Sequence, residues 1–280
     1  MDLSKIYSPR PEWAHKGNFG SVLVICGSKF YSGSATLAAV GAARSGCDLV
    51  TVVAPQRACD VAAYNLPDLI TYPLRGDFLT TRHTADIADV ALIRKVNSIV
   101  IGCGLGRHVS TLAAIRRLIS KFNVPLVLDA DALLAVSENS QVVLGKHFVM
   151  TPHAGELATL LGSSPIGNDF AQRVNFSKQA ALKYQGVVLL KGHIDIITDG
   201  ESMVTNNSGT PLMAKGGFGD ILSGIVAALL ARGVGLFEAA CAAAYINGRA
   251  GELAASDRGE SLVASDIFGY IWKAVESSKA

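Results

Sequence analysis

The chain has little charge and no large excess of either sign. Only 17% of its 280 residues are charged, and the formal net charge at pH 7 is +2. A protein whose main partner is nucleic acid carries a broad basic surface, so this composition argues against that class. Half of the residues are hydrophobic, which is enough for a substantial core in one large domain or two small ones.

Long apolar runs and paired cysteines are also missing. The apolar stretches are far shorter than the ~20 residues of a membrane-spanning helix, and residues 1–6 contain no signal-peptide core. The 5 cysteines are scattered, and no pair has metal-ligand spacing. We therefore expect reduced thiols in a cytoplasmic protein that binds neither nucleic acid nor a membrane.

Short β-rich apolar runs alternate with helical patterns along almost the whole chain. The runs are continuous, which indicates strands buried on both faces of a mostly parallel sheet covered by helices. No linker or repeat divides the chain, so we expect one three-layer α/β/α domain over residues 1–280. The predicted strands are 22–26, 49–54, 98–101, 126–128, 148–150, 187–190 and 194–198. The predicted helices are 35–45, 111–122, 169–184, 239–255 and one from 221 to a stop at Gly233.

Polar or glycine-rich segments follow five of these predicted strands, at residues 27–33, 102–106, 129–131, 151–153 and 191–193. Ligands of open parallel sheets bind beyond the carboxyl ends of the strands, so we expect these segments to meet at one edge. The last segment is short enough for a hairpin between the final two strands. The glycines at 102–106 lack the spacing and first-strand context of a dinucleotide fingerprint.

The most informative segment is the glycine-rich turn at residues 209–220, which runs into a strongly helical pattern. Gly216, Gly217 and Gly219 permit positive φ and close approach of a ligand. The N–H groups at the start of the helix form an anion site. Asp220 lies at the junction. It is either an ordinary helix N-cap or a proton acceptor beside a bound phosphate.

Four other polar residues have two interpretations each. His153 either caps a turn or contacts a ligand, and its place after a strand and beside Pro152 favours the ligand. Asp129 and Asp131 either bind a metal or polar substrate group or cap the next helix, which is the commoner use. Lys191 either meets a phosphate as a point charge or is simply solvated.

These segments, in this order, resemble the NAD(P)H-hydrate dehydratase family, which has a ribokinase-like fold. The resemblance covers nearly the whole chain and is most specific at residues 209–224, read together with residues 151–156. It implies repair of nicotinamide cofactors by dehydration of the S form of NADH hydrate and NADPH hydrate. The glycine turn resembles that of prokaryotic members, which use ADP, more than that of eukaryotic members, which use ATP. We therefore expect ADP to be consumed and AMP and phosphate to be released.

The resemblance also implies roles for individual residues. Asp220 would be the catalytic proton acceptor, although a helix N-terminus is expected to lower its pKa and weaken it as a standing base. The N–H groups of Gly216, Gly217 and Gly219 would form the anion hole for the transferring phosphoryl group. The nucleotide would be bound by Lys191, Gly192, His193, Ile194, Asp195 and Gly219. The hydrate would be bound by Gly33, Ser34, Gly104, His153 and Asp220.

Further expectations follow from the same resemblance. They are Mg²⁺ on the phosphates, with ligands that the sequence does not identify, and a homo-oligomer such as a tetramer. The chain starts almost directly at the dehydratase segment, so we expect no fused epimerase domain and coupling to a separate hydrate epimerase. Departures from the family pattern are expected to affect nucleotide positioning and rate rather than the reaction. They are Phe218 for threonine, Ser34 for alanine, Ala154 for proline and Cys26 for glycine.

Two other functions remain open from the sequence. A ribokinase-like kinase for a vitamin-precursor alcohol would use the same glycine turn and aspartate but release the phosphorylated alcohol. A nucleotide-binding or sensor protein without catalysis would not need Asp220. Fold alone does not decide among these functions.

Overall fold

The computed structural model describes residues 1–278 and contains a nine-stranded sheet within that range. Its inner strands are buried on both faces because helices cover both sides. The strands are β1 (Ser21–Ile25), β2 (Leu49–Pro55), β3 (Ile70–Leu74), β4 (Ser98–Ile101), β5 (Leu126–Leu128), β6 (Phe148–Met150), β7 (Val187–Leu190), β8 (Asp195–Thr198) and β9 (Met203–Asn206).

Ten α-helices accompany these strands in the described range. They are α1 (Ser32–Arg44), α2 (Gln56–Asn65), α3 (Thr84–Ile93), α4 (Val109–Lys121), α5 (Asp131–Glu138), α6 (Ala154–Leu161), α7 (Phe170–Tyr184), α8 (Phe218–Ala231), α9 (Leu236–Arg258) and α10 (Ile271–Glu276). Across residues 1–278, none of the helices has the length and apolar character needed to cross a membrane.

The strand order is β3-β2-β1-β4-β5-β6-β7-β8-β9. All pairs from β3 to β7 are parallel, whereas β7–β8 and β8–β9 are antiparallel. Successive side chains of a strand point to opposite faces. Accordingly, Val22 and Val24 of β1 join the core under α1, α2, α8, α9 and α10, and Leu23 and Ile25 join the core under α3–α7. The predicted three-layer, mostly parallel architecture is confirmed, and so is the hairpin of β7 and β8. The hairpin does not end the sheet, because β9 pairs with β8 and forms the edge.

Some elements were not predicted, namely β3, β9, α2, α3, α6 and α10. Both strands lie at the edges of the sheet, where a strand is not buried on both faces. Four of the five β3 residues are partly or fully exposed, and β3 contains Pro73, which is tolerated at an edge. Three of the four β9 residues are exposed. Neither strand therefore has the continuous apolar run that identified the inner ones.

Helices α1 and α8 approach each other closely because small residues line their contact. A side chain at Gly224 would collide with the backbone carbonyl of Ala38, and a Cβ at Gly41 would lie 2.8 Å from the carbonyl oxygen of Ile221. This contact brings the N-terminal ends of both helices to the same edge of the sheet. Ser34 of α1 and Asp220 of α8 become neighbours as a result.

Candidate active site

The five polar segments identified in the sequence follow β1, β4, β5, β6 and β7. Because these strands are parallel, their carboxyl ends lie at one edge of the sheet. The starts of α1 and α8 lie at the same edge. The edge therefore gathers the predicted residues from segments that are far apart in the chain, as expected.

The glycine turn forms the start of α8. Gly217 is the N-cap residue with φ +104°, a conformation that a side chain would strain, and the helix itself begins at Phe218. The backbone N–H groups of residues 216–220 donate to no acceptor in the described part of the chain. Such a row of free donors at a helix N-terminus is an anion-binding site.

Asp220 lies in the first turn of α8, two residues inside its start, so its interpretation as the N-cap is wrong. Burial raises the pKa of its carboxyl to about 6, and the charge of Asp129 adds to the shift. Hydrogen bonds from Ser34 and Cys103 and the charge of Lys191 act in the opposite direction. The expected lowering of this pKa by the helix N-terminus is therefore also wrong. A carboxylate with this pKa is largely ionised at pH 7 yet accepts a proton readily.

Asp129, directly after β5, is the most connected polar residue of the site. Its Oδ1 accepts hydrogen bonds from Lys191 Nζ and from the Ala130 N–H, both at 2.9 Å. Its Oδ2 accepts a hydrogen bond from the Ser223 hydroxyl at 2.8 Å and lies 3.7 Å from the Cys103 thiol. The side chain is only 2% exposed. Both carboxylate oxygens of Asp129 are thus fixed by hydrogen bonds at the buried base of the site.

Neither aspartate of this loop caps the helix with its side chain, so the capping interpretation is wrong. The N-cap of α5 is Ala130, which has no side-chain acceptor. Asp131 accepts instead from the Gly106 N–H at 2.7 Å and pairs with Arg107 at 3.2 Å. Asp131 therefore fixes the glycine loop that follows β4, whereas Asp129 faces the glycine turn.

Lys191 follows β7 directly and is not simply solvated. Its ammonium lies 2.9 Å from Asp129 and 3.9 Å from Glu156. Burial alone would lower the pKa of Lys191, but the charges of these two carboxylates raise it above the ordinary value. A Cβ placed on Gly219 would lie 3.3 Å from the ammonium nitrogen. Lys191 is therefore a fixed cation directly beside the glycine turn.

The ligand atoms of Cys103, Asp129 and Asp220 lie within 4.8 Å of one another, a spacing that could suit a metal ion. The donor chemistry does not fit Mg²⁺, which prefers oxygen ligands. Cys103 is a buried thiol whose pKa is raised, first by its contact with Cys26, and it stays protonated. Asp129 is already paired with the ammonium of Lys191. These residues do not form a protein-held Mg²⁺ site.

His153 is the N-cap of α6. Its Nδ1 accepts from the N–H groups of Gly155 at 3.0 Å and Glu156 at 3.2 Å, and the Glu156 carboxylate accepts from the His153 N–H at 2.8 Å. His153 therefore caps the helix through its Nδ1 atom, as one of its two interpretations predicted. The side chain is still 61% exposed, so contact of its free edge with a ligand stays a prediction.

The remaining predicted hydrate residues surround the start of α1. A Cβ on Gly104 would lie 2.6 Å from the Ser34 hydroxyl, so only glycine allows the loop after β4 to contact α1 this closely. Gly33 is exposed, with open space around its Cα. Ser34 and Gly104 are therefore direct neighbours beside Asp220, as the prediction requires.

The predicted nucleotide segment forms the loop of the β7–β8 hairpin. Asp195 ties it together, because its Oδ1 accepts from the Gly192 N–H and its Oδ2 from the Asn206 side-chain amide, both at 2.9 Å. Gly192 and His193 are exposed, and Ile194 is half-buried. The loop thus presents a fixed backbone to solvent beside Lys191.

Sequence reasoning missed several polar residues of the site: Cys103, Thr151, Glu156 and Ser223. Ser223 follows Asp220 by three residues and so shares its helix face, which was a readable signal. Its hydroxyl also lies 3.2 Å from that of Thr151 at the end of β6. Glu156 completes a capping box with His153, a pattern visible in the spacing.

Residues 22–273 match the family described as NAD(P)H-hydrate dehydratase. The chain belongs to this family. The resemblance stated from the sequence is thereby confirmed.

Individual members of the NAD(P)H-hydrate dehydratase family agree with this assignment. An ADP-dependent (S)-NAD(P)H-hydrate dehydratase of Cenarchaeum symbiosum is 38% identical over 95% of this chain and 92% of its own length. A Bacillus subtilis ADP/ATP-dependent NAD(P)H-hydrate dehydratase, co-crystallised with ATP and Mg²⁺, is 26% identical with a TM-score of 0.82, covering 97% of this chain and 95% of its own.

The fold assignment is supported independently. A ribokinase-like superfamily protein of Enterococcus faecalis has the same fold, with a TM-score of 0.83 at 22% identity over 99% of this chain and 94% of its own. Other curated relatives are named bifunctional NAD(P)H-hydrate repair enzymes, and the chain spans about half of their length (52%).

Proposed function

We propose that this chain catalyses the ADP-dependent dehydration of (S)-NADH hydrate and (S)-NADPH hydrate. The products are NADH or NADPH, AMP and phosphate. The observation that carries the proposal is the position of Asp220, a carboxylate with a pKa of about 6 beside the free N–H row of a glycine turn. Membership of the NAD(P)H-hydrate dehydratase family supports the choice of substrate.

The chemistry begins with the hydroxyl on C6 of the hydrated ring. Asp220 takes its proton as the oxygen bonds to the terminal phosphorus of ADP, and the bond to the AMP oxygen breaks with its electron pair. The row of N–H groups at residues 216–220 stabilises the charge on the transferring group. Phosphate then leaves C6, assisted by the ring nitrogen, and loss of a proton from C5 restores the double bond. Hydroxide is a poor leaving group, whereas phosphate is a good one.

The two substrates approach from different sides of Asp220. ADP lies along the hairpin loop, bound by Lys191, Gly192, His193, Ile194, Asp195 and Gly219. The hydrate lies against the start of α1 and the loop after β4, bound by Gly33, Ser34, Gly104, His153 and Asp220. This arrangement brings the hydroxyl and the terminal phosphate together over the glycine turn.

Mg²⁺ is assigned to the nucleotide in this proposal, because ADP reaches the enzyme as its magnesium complex and the protein's own donors do not suit the ion. We also propose that the enzyme is a homo-oligomer, such as a tetramer, and that a separate epimerase supplies part of its hydrate.

We further propose that the enzyme works in the cytoplasm. All five cysteines are unpaired in the structure, which supports a reducing compartment.

A single assay tests the proposal. (S)-NADH hydrate is incubated with the protein, Mg²⁺ and ADP, and the absorbance of reduced nicotinamide is followed. We expect NADH to be regenerated in step with AMP release, and more slowly with ATP. No NADH with either nucleotide would overturn the proposal, and phosphorylation of a vitamin-precursor alcohol such as hydroxyethylthiazole would point to a kinase instead.

A further inference from the structure

We propose that Asp129 is a positioning residue that keeps Lys191 beside the glycine turn and apart from Asp220. The base and the cation then act on the same phosphoryl transfer without pairing with each other. This inference rests on the proposed function and assigns a role to a residue that is outside the substrate contacts described above.

Asp129 holds Lys191 against the glycine turn. The ammonium is 2.9 Å from Asp129 Oδ1, and a Cβ on Gly219 would lie 3.3 Å from the ammonium and 3.9 Å from Asp129 Oδ2. Lys191 and Asp129 therefore both lie against the backbone of the turn whose N–H groups face the phosphate. A point charge there stabilises a transferring phosphoryl group.

Asp129 is itself held in place by further hydrogen bonds. The Ala130 N–H and the Ser223 hydroxyl each donate to one of its oxygens, at 2.9 Å and 2.8 Å. Ser223 is in turn 3.2 Å from the hydroxyl of Thr151. A buried ion pair contributes little net stability compared with well-packed apolar residues. The several hydrogen bonds that the buried Asp129 carboxylate accepts therefore favour a functional role for this residue over a structural one.

The charge of Asp129 also acts on Asp220. The groups that face Asp220 are Asp129 after β5, Lys191 after β7, the neutral Cys103 thiol after β4 and the Ser34 hydroxyl on α1. Burial and the negative charge of Asp129 raise the pKa of Asp220 to about 6, while Lys191 opposes the shift. Glu156 of α6 lies on the far side of Lys191, at 3.9 Å.

Loss of the Asp129 charge would change Asp220 in a definite direction. The pKa of Asp220 would fall for two reasons, because a repelling charge is removed and because Lys191 is freed to approach. Asp220 must be ionised to act as a base, so activity increases as the pH rises through the pKa of Asp220. With a lower pKa, this increase would occur at lower pH. Asp220 would also become a weaker base, which lowers the rate at neutral pH.

The experiment compares Asp129→Asn with Asp131→Asn, a matched control two residues along the same loop. The acid limb of kcat/KM for (S)-NADH hydrate, near pH 6 in the wild type, should move down by about one pH unit in Asp129→Asn. Its kcat at neutral pH should fall ~10-fold or more. Asp131→Asn should leave the limb in place. The terminal phosphate of ADP titrates equally in all variants, so the difference between variants is diagnostic.

An unmoved limb in a folded Asp129→Asn protein would overturn the inference, because a purely structural role lowers the rate without moving the limb. If this variant fails to fold, Ser223→Ala replaces it. It keeps the charge but loosens Asp129, and we expect a smaller shift in the same direction. If the acid limb of the Ser223→Ala variant lies at the same pH as that of the wild type, the inference is overturned.

A second measurement separates this inference from the proposed function. The pKa of the Asp220 carboxyl is measured by carbon NMR in the wild type and in Asp129→Asn, with the signal assigned by its loss in Asp220→Asn. A wild type that regenerates no NADH contradicts the proposed function alone. An Asp220 pKa that is equal in the two proteins contradicts the role of Asp129, whatever the activity.

Discussion

Helices α6 and α8 both begin at the same edge of the sheet, but their first turns differ. The start of α6 is closed, since His153 accepts from the N–H groups of Gly155 and Glu156. The start of α8 is open, since the N–H groups of residues 216–220 find no acceptor within residues 1–278. A closed start stabilises its helix, whereas an open start lined by glycine is available to an anion. The start of α8 therefore has the free donors that an anion needs, whereas the start of α6 does not.

The largest expected effect comes from removing the base at the open start. Asp220→Asn keeps the shape of the side chain but does not accept the proton, so kcat should fall by about 10²–10⁴-fold. ADP binding should remain, because the backbone N–H groups are unchanged. Initial rates and isothermal titration with ADP and Mg²⁺ measure the two effects. Wild-type turnover would exclude Asp220 as the base, and an unfolded variant would indicate a structural role.

A smaller effect is expected from straining the turn itself. Gly217 has φ +104°, and a Cβ there would lie 2.8 Å from Leu37 and 2.9 Å from Ala264. Gly217→Ala should therefore lower the free energy of unfolding by about 1–2 kcal/mol and raise the KM for ADP. Urea unfolding and steady-state kinetics provide the measurements.

Gly216→Ala is the matched control for the turn, because a Cβ at Gly216 meets nothing within 4 Å. Its stability should change by less than about 0.5 kcal/mol. Equal losses of stability at the two positions would contradict the assigned strain at Gly217.

The smallest effects are expected at the closed start. His153→Ala removes the cap of α6 and should cost about 1 kcal/mol of stability. His153→Asn restores a good cap without the ring, so it should recover most of that stability. Thermal unfolding measures the stability that the cap contributes, and the KM for the hydrate measures any contact of the imidazole ring with the substrate. If His153→Asn has both the stability and the KM of the wild type, the ring makes no contact with the substrate.

The inner strands and the location of the site could be predicted because both follow from local patterns. Continuous apolar runs identified the strands buried on both faces, and polar segments after them marked the edge. The edge strands β3 and β9 could not be identified in this way, since their exposure interrupts the pattern.

The electrostatics of the site depend on contacts between distant parts of the chain. The expected direction of the Asp220 pKa shift was wrong because burial and the charge of Asp129 raise this pKa, and these groups are brought together only by folding. Lys191 and Asp129 are likewise 62 residues apart in the chain. No local spacing could have predicted that pair. The roles assigned to the individual site residues stay predictions.

The contact of α1 with α8 links the candidate site to positions deeper along both helices. At Gly41 and Gly224 the Cβ of any other residue would collide with the backbone of the opposite helix, so a substitution there would force the two helices to shift. Ser34 and Asp220 lie at the starts of these helices and hydrogen bond to each other, so their spacing would change as well. The geometry around Asp220 therefore depends on two glycines that lie outside the candidate site.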